Sequence, residues 1–206
     1  MSAEEGLKEI KNKKLFLVEG KDDVEFFVEL LDKIGISDFF VWGIEGKGNF
    51  NKELPVIAKL SGFDNLTHLC IIRDKDQDDA YKSVGTILRE TMNMANVPSK
   101  SGEMTQGEPN LGIFICPGDS IEGTCLEDLC LEVVKDHPAM DCVNAFADCV
   151  SALEISPKNL SKSKMLSFLA AQPDIVNTIG LAARKNYWDF TSPALQELIE
   201  FLKQFK

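Results

Sequence analysis

The sequence predicts an α/β fold: a mostly parallel four-stranded sheet flanked by helices, followed by a mainly helical C-terminal extension. Three observations carry that expectation. Short apolar runs alternate with helix-period segments through the first 116 residues, giving β-α-β-α-β-α-β. Two of the runs end abruptly in acidic clusters, Val18-Glu19-Gly20-Lys21-Asp22-Asp23 and Ile72-Arg73-Asp74-Lys75-Asp76. Beyond residue 116 the strand pattern stops and helical spacing takes over. Alternation of this kind places parallel strands side by side, with the connecting helices on both faces of the sheet.

The first strand covers residues 14–19, too short for a helix and bounded by Gly20. Residues 22–34 follow as a helix, because Val24, Phe27, Val28 and Leu31 recur at helical spacing and Gly35 stops the run. A second strand at residues 39–42 leads into a glycine-rich turn, Gly46-Lys47-Gly48-Asn49-Phe50. Residues 51–60 read as a helix with Pro55 in or near its first turn. The third strand is residues 66–72, followed by a polar helix over 78–94 and a Pro- and Gly-containing loop over 96–110. The fourth strand, residues 111–116, is stopped by Pro117-Gly118. Helices are then expected over 124–134, 142–153, 161–170 and 193–205. In the last of these, Leu195, Leu198, Ile199 and Leu202 form an apolar face. The expected organisation is an α/β domain over residues 1–135 and a helical extension over 136–206 packed on it.

The 206 residues are 44% hydrophobic and 27% charged, as in ordinary soluble domains. No apolar run approaches the length of a membrane span, and the polar N-terminus lacks the apolar stretch of a signal peptide. A cytoplasmic protein with no membrane association is expected. The six cysteines form no Cys-x-x-Cys pair, and Cys70 and Cys116 fall inside strands, so buried reduced thiols are expected rather than a zinc site or a disulfide frame. A net charge of −11 argues against a stand-alone binder of nucleic acid but not against an enzyme acting on it, since bound cations offset acidic clusters.

The acidic clusters carry the chemistry. In an open parallel sheet, the carboxyl ends of the strands form the functional edge. Two adjacent strands ending in Glu19 and in Asp74 and Asp76 would aim three carboxylates at one point. Like charges that close need a counter-charge, which a hard divalent cation with oxygen ligands supplies. Oxygen-only ligands favour Mg²⁺ or Mn²⁺ over zinc. Asp23, four residues after Glu19, can face the same edge from the first helical turn, where the helix dipole also favours it. His68 and His137, beside an apolar strand and before Pro138, read as structural, and Trp188 and Phe190 read as core residues under the last helix.

In this order, the Glu-Gly-x-x-Asp at residues 19–23, the glycine turn and the Asp-x-Asp at 74–76 resemble a Toprim domain, the Rossmann-like metal-binding fold of topoisomerases, primases and several nucleases. The turn at 46–50 is similar to that of OLD-type nucleases. Thr124-Cys125-Leu126-Glu127-Asp128-Leu129, Lys162 and the segment Tyr187-Trp188-Asp189-Phe190 resemble a family of small stand-alone bacterial Toprim-like proteins with no established reaction. The resemblance implies a two-metal site completed by a further acid after the fourth strand. Glu127 is the candidate, with Cys125 where a hydroxyl residue is usual; Glu122, two after Ser120, is the alternative. It implies Mg²⁺- or Mn²⁺-dependent phosphoryl transfer on DNA or RNA, with metal ligands Glu19, Asp23, Asp74, Asp76 and Glu127. Glu19 and Lys162 would take catalytic roles, and Lys47 and Gly48 would contact phosphate. The competing expectation is a non-catalytic metal-binding module that recruits or regulates a partner protein. An ATPase partner and a homodimer stay open. Receiver-type and haloacid-dehalogenase-type phosphotransfer fit less well, because their nucleophilic aspartate belongs on an earlier strand or has Thr/Ser and Lys sequels that this chain lacks.

Overall fold

The computed structural model describes residues 9–75, 79–153 and 156–206, with the Lys47 side chain outside that description. A five-stranded sheet runs in the order β2-β1-β3-β5-β4. Its strands are β1 (Lys14–Val18), β2 (Phe39–Gly43), β3 (His68–Asp74), β4 (Glu103–Thr105) and β5 (Asn110–Cys116). Four strands are parallel, pairing Val18 with Gly43, Leu17 with Ile71, and Asp74 with Cys116. The fifth, β4, pairs antiparallel with β5 at the edge. This short strand lies in the segment expected to be loop. Three residues carry too little alternation to announce a strand, and the pairing with β5 makes it one.

The helices are α1 (Lys21–Lys33), α2 (Phe50–Ile57), α3 (Ala80–Thr86), α4 (Leu126–Val133), α5 (Ala139–Ser151), α6 (Leu160–Ala170), α7 (Ile179–Arg184) and α8 (Gln196–Lys203). A π-helical turn, Ile87–Thr91, prolongs α3, and a 3-10 turn, Lys47–Asn49, precedes α2. Pro55 sits in the second turn of α2 rather than the first. The ring removes the N–H that would bond the carbonyl of Asn51, which lies at the exposed surface where water can serve it.

Strand alternation divides the core into two layers. Leu15, Leu17, Leu69, Ile71, Ile113 and Ile115 face one side and pack with Phe50, Leu54, Val84 and Leu88 of α2, α3 and the π turn. Phe16, Val18, Cys70, Ile72, Phe114 and Cys116 face the other, under a layer that includes α1, α4 and all the later helices. Helix α8 reaches the sheet itself. Phe205, just past its end, lies 5.3 Å from Phe16, and Phe201 lies 5.3 Å from Phe114 between ring centroids. Gly112 in β5 makes room for this approach, since a Cβ there would meet the Phe205 ring at 2.5 Å. Trp188 is buried, donates from Nε1 to the Ile179 carbonyl at 2.9 Å and stacks on Phe168. Phe190 packs edge-on against Phe26 at 5.6 Å. Trp188 is thus a core residue, as the sequence suggested, and half-buried Phe190 packs against the core. Cys70, Cys116, Cys125 and Cys130 are buried thiols, while Cys142 and Cys149 are exposed on α5. Among the described residues, no helix is long and apolar enough to cross a membrane.

Candidate functional site

The chain passes from β1 to β2 on one side and returns to β3 on the other. The switch point of the sheet therefore lies between β1 and β3, where ligands of open α/β sheets bind beyond the strand carboxyl ends. Glu19 leaves β1 at this point, and Asp74 is the last residue of β3. Each is held by a different local device. The backbone of Glu19 is fixed by the glycine turn, as its carbonyl accepts from Gly46 N–H at 2.9 Å. Asp74 is held by helix α4: its Oδ1 accepts from Leu126 N–H, in the helix's first turn, at 3.0 Å. Asp23 sits in the first turn of α1 and turns back so that Oδ2 accepts from Gly20 N–H at 2.8 Å. Glu127 follows Leu126 in the first turn of α4.

These four carboxylates line one cavity of about 490 Å³, together with Lys162 of α6. Five of the residues expected to form the site thus share one concavity. The electrostatics record how close they are. Burial pushes the Asp74 carboxyl up to about 9, and the charges of Asp23, Glu19 and Glu127 push in the same direction; the Leu126 N–H opposes them. Burial likewise raises Asp23 to about 6 against the Gly20 hydrogen bond, with Glu127, Glu19 and Asp22 adding to the rise. The donor set is all oxygen, which suits a hard divalent cation. Among the described residues, no three Asp, Glu, His or Cys side chains are so disposed that they could hold a metal ion together.

Asp76 lies outside the described residues, as does the side chain of Lys47. The glycine turn borders the cavity through Glu45 and Gly46, not through Gly48, which is exposed. Glu122 is exposed and does not line the cavity, so of the two candidate acids the fold brings Glu127 to the site. Cys125 is the residue before α4. Its thiol donates to Asp128 Oδ2 at 3.2 Å, and the same oxygen accepts from the Thr124 and Cys125 N–H groups. Burial, reinforced by Glu127, pushes the Cys125 thiol up, so it stays protonated. Both histidines are structural. His68 contacts Thr67 and Asn110 at the amino end of β3, and His137 Nδ1 accepts from Ala139 N–H at the start of α5.

Sequence reasoning overlooked three groups. Arg73 is 4% exposed, places its Nε 3.8 Å from Glu19 Oε2, and lies over the Phe50 ring at 5.8 Å. Its signal was a lone guanidinium inside an apolar strand. Lys21 at the cavity rim pairs with Glu45 at 2.9 Å. Met165, Asn177 and Ile179 form a wall contributed by the C-terminal region. Met165 could have been found at helical spacing from Lys162. Asn177 and Ile179 carried no local signal.

Fold and site define an α/β protein with a carboxylate-lined cavity at the switch point of a parallel sheet. The chain belongs to the family described as protein of unknown function DUF3226, whose model matches residues 13–206. No curated protein and no solved structure matches it.

Proposed function

We propose that this protein is a Toprim-like, Mg²⁺- or Mn²⁺-dependent phosphoryl-transfer enzyme that hydrolyses phosphodiester bonds of nucleic acid. One observation carries the reading: Glu19 directly follows β1 and Asp74 ends the adjacent parallel strand β3 at the switch point, and Asp23 and Glu127 share their cavity. No three of the described carboxylates are disposed to hold a metal together, so a cation would take at most two of Glu19, Asp23, Asp74 and Glu127, with water and with Asp76, which follows in the chain, completing its coordination. When bound, such an ion lowers the pKa of a water and takes up charge on the phosphoryl oxygens. The chain's own contribution is positional. Helix α4 fixes one Asp74 oxygen through Leu126 N–H, and Asp74 lines the cavity. Lys162 brings a positive charge to the same cavity, where it can steady a phosphate oxygen.

A second reading, a metal-binding module that recruits a partner without catalysis, is favoured by Cys125. Its thiol is engaged with Asp128 where a free hydroxyl would be wanted. One experiment addresses both. Calorimetric titration with Mn²⁺ should give saturable heat for the wild type and at least tenfold weaker binding for an Asp74→Asn, Asp76→Asn double variant. Equal binding by the two proteins overturns the metal site. Incubating the wild type with single-stranded DNA, plasmid and RNA in Mn²⁺, beside Glu19→Gln, then separates the readings: cleavage lost in Glu19→Gln means an enzyme, and metal binding without cleavage means a module.

A further inference from the structure

The cavity's third wall bears on what the site can accept. Met165 and Ile179, each only 3% exposed, give the cavity a small apolar contact, and Asn177 and Lys162 line it as well. The lining is otherwise mainly carboxylates and glycine turn, so the cavity is acidic with a small apolar contribution from the C-terminal region. A volume of about 490 Å³ falls within the range of pockets for small organic ligands, about 300–1,000 Å³.

The rim argues in the same direction. Asp22 and Glu45 stand exposed at the mouth, and the ammonium of Lys21 is already committed to Glu45 at 2.9 Å. Duplex DNA brings about one negative charge per 1.7 Å of axis, and proteins that bind it oppose that charge with a broad basic surface. This chain carries a net charge of −11. A duplex laid across such a mouth meets like charge, whereas one phosphodiester entering the cavity brings a single charge and an organic group of a size the cavity can hold.

We infer that the site accepts a phosphodiester of nucleotide size, either a free nucleotide ester or the single-stranded end of a chain, and excludes duplex nucleic acid. The inference rests on the phosphoryl-transfer reading of the same cavity. The reaction is hydrolysis: the oxygen of water bonds to phosphorus, the ester P–O bond breaks, the leaving oxygen departs with the bonding pair and takes a proton, and a monoester and an alcohol result. The base or leaving group would lie against Met165 and Ile179, with Asn177 placed to hydrogen-bond a heterocycle edge.

The test compares four substrates in Mn²⁺: thymidine 5′-(p-nitrophenyl phosphate), bis(p-nitrophenyl) phosphate, a single-stranded oligonucleotide and a covalently closed plasmid. The proteins are the wild type and Asn177→Trp, a substitution at an exposed wall position that narrows the cavity without touching a carboxylate. The wild type should turn over the small esters or the strand end at least tenfold faster, per susceptible bond, than it nicks the plasmid. Asn177→Trp should lower kcat/KM for them at least tenfold while leaving the heat of Mn²⁺ binding unchanged. Turnover of the small esters alone assigns free nucleotides; stepwise release of mononucleotides from the oligonucleotide assigns chain ends. Plasmid nicking as fast as small-ester turnover, or an Asn177→Trp protein with unchanged kinetics, overturns the inference and leaves the phosphoryl-transfer reading standing. No turnover of any diester removes both.

Discussion

Asp74 is a carboxyl whose proton is worth following. In the unfolded chain it titrates at the ordinary aspartate value of 3.8, and in the folded protein it holds its proton to about 9. Between those values the native state binds a proton that the unfolded state has lost, so stability falls as pH rises through this window and is lowest above it. Asp23, raised to about 6, adds to the fall over the lower part of the same range. Asparagine at position 74 keeps the acceptor for Leu126 N–H and removes the titration. In metal-free buffer with chelator, Asp74→Asn should therefore raise stability at pH 7.5 by about 1–3 kcal/mol and change it little at pH 4, read from urea midpoints at constant slope. A variant less stable than wild type at pH 7.5 would mean that Asp74 is ionised and satisfied by the protein alone. At this scale much of the site was legible. Glu19 and Asp74 stood out because acids that end apolar runs have few structural reasons to be there; Asp23 stood out less, since the helix dipole favours an acid in a first turn. Arg73 did not stand out, because a single charge inside a run of buried residues looks like a break in pattern until its partner, Glu19, 54 positions earlier in the sequence, is seen beside it in space.

Elements position those residues by packing that a local reading sees unevenly. Helices of ten or more residues, such as α1, α5 and α6, announced themselves through periodicity to within a few residues at either end. Helix α7 did not, because six residues give fewer than two turns of pattern. Yet α7 is what braces the first turn of α1, where Asp22 and Asp23 border the cavity. The two helices approach at Gly180, where a Cβ would come within 2.4 Å of the Glu25 Cβ and 2.9 Å of the Asp22 carbonyl. Arg184 closes the contact by pairing with Glu25 at 3.0 Å. Gly180→Val must push α7 off α1, an overpacking that costs about 1–3 kcal/mol. Because the displaced backbone includes Asp22, the same variant should also weaken Mn²⁺ binding severalfold, measured by calorimetry well below its melting temperature. Full stability with unchanged metal binding would show that α7 can move away without disturbing the acidic wall. A similar brace holds the other side. Glu197 of α8 accepts from the Asp119 and Ser120 N–H groups at about 3 Å and from the Ser120 hydroxyl at 2.7 Å, tying down the loop that leads into α4 and Glu127. The hydrogen bonds to the Ser120 hydroxyl and the Asp119 and Ser120 backbone outweigh burial and hold the Glu197 carboxyl below its usual value.

Across the whole molecule, sequence grammar suggested a boundary near residue 135, because strands stop and helices take over. Packing weighs against independence of the two parts. The sheet face formed by Phe16, Val18, Cys70, Ile72, Phe114 and Cys116 is covered by a cluster that also contains Met165, Phe168, Trp188, Phe201 and Phe205. Residues 136–206 supply the aromatic layer over that face, and Phe201 and Phe205 touch it directly. A fragment ending at residue 135 would leave apolar strand residues that are now essentially inaccessible open to water, at about 25 cal/mol for each Å² exposed. Such a loss is comparable to the whole stability of a domain this size. The fragment 1–135 should therefore lack a cooperative thermal transition and bind a hydrophobic dye, while the 206-residue chain melts in a single transition whether followed by far- or near-ultraviolet circular dichroism. A sharp transition in the fragment would establish a self-sufficient α/β domain. The cavity would then be completed by an appended wall, and Met165, Asn177 and Ile179 could change in relatives without cost to the fold. The outcome expected from Phe16, Phe114, Phe201 and Phe205 is the reverse: the residues that shape the far wall of the cavity belong to the same cooperative unit as the carboxylates, so that changes in one are felt as changes in the other.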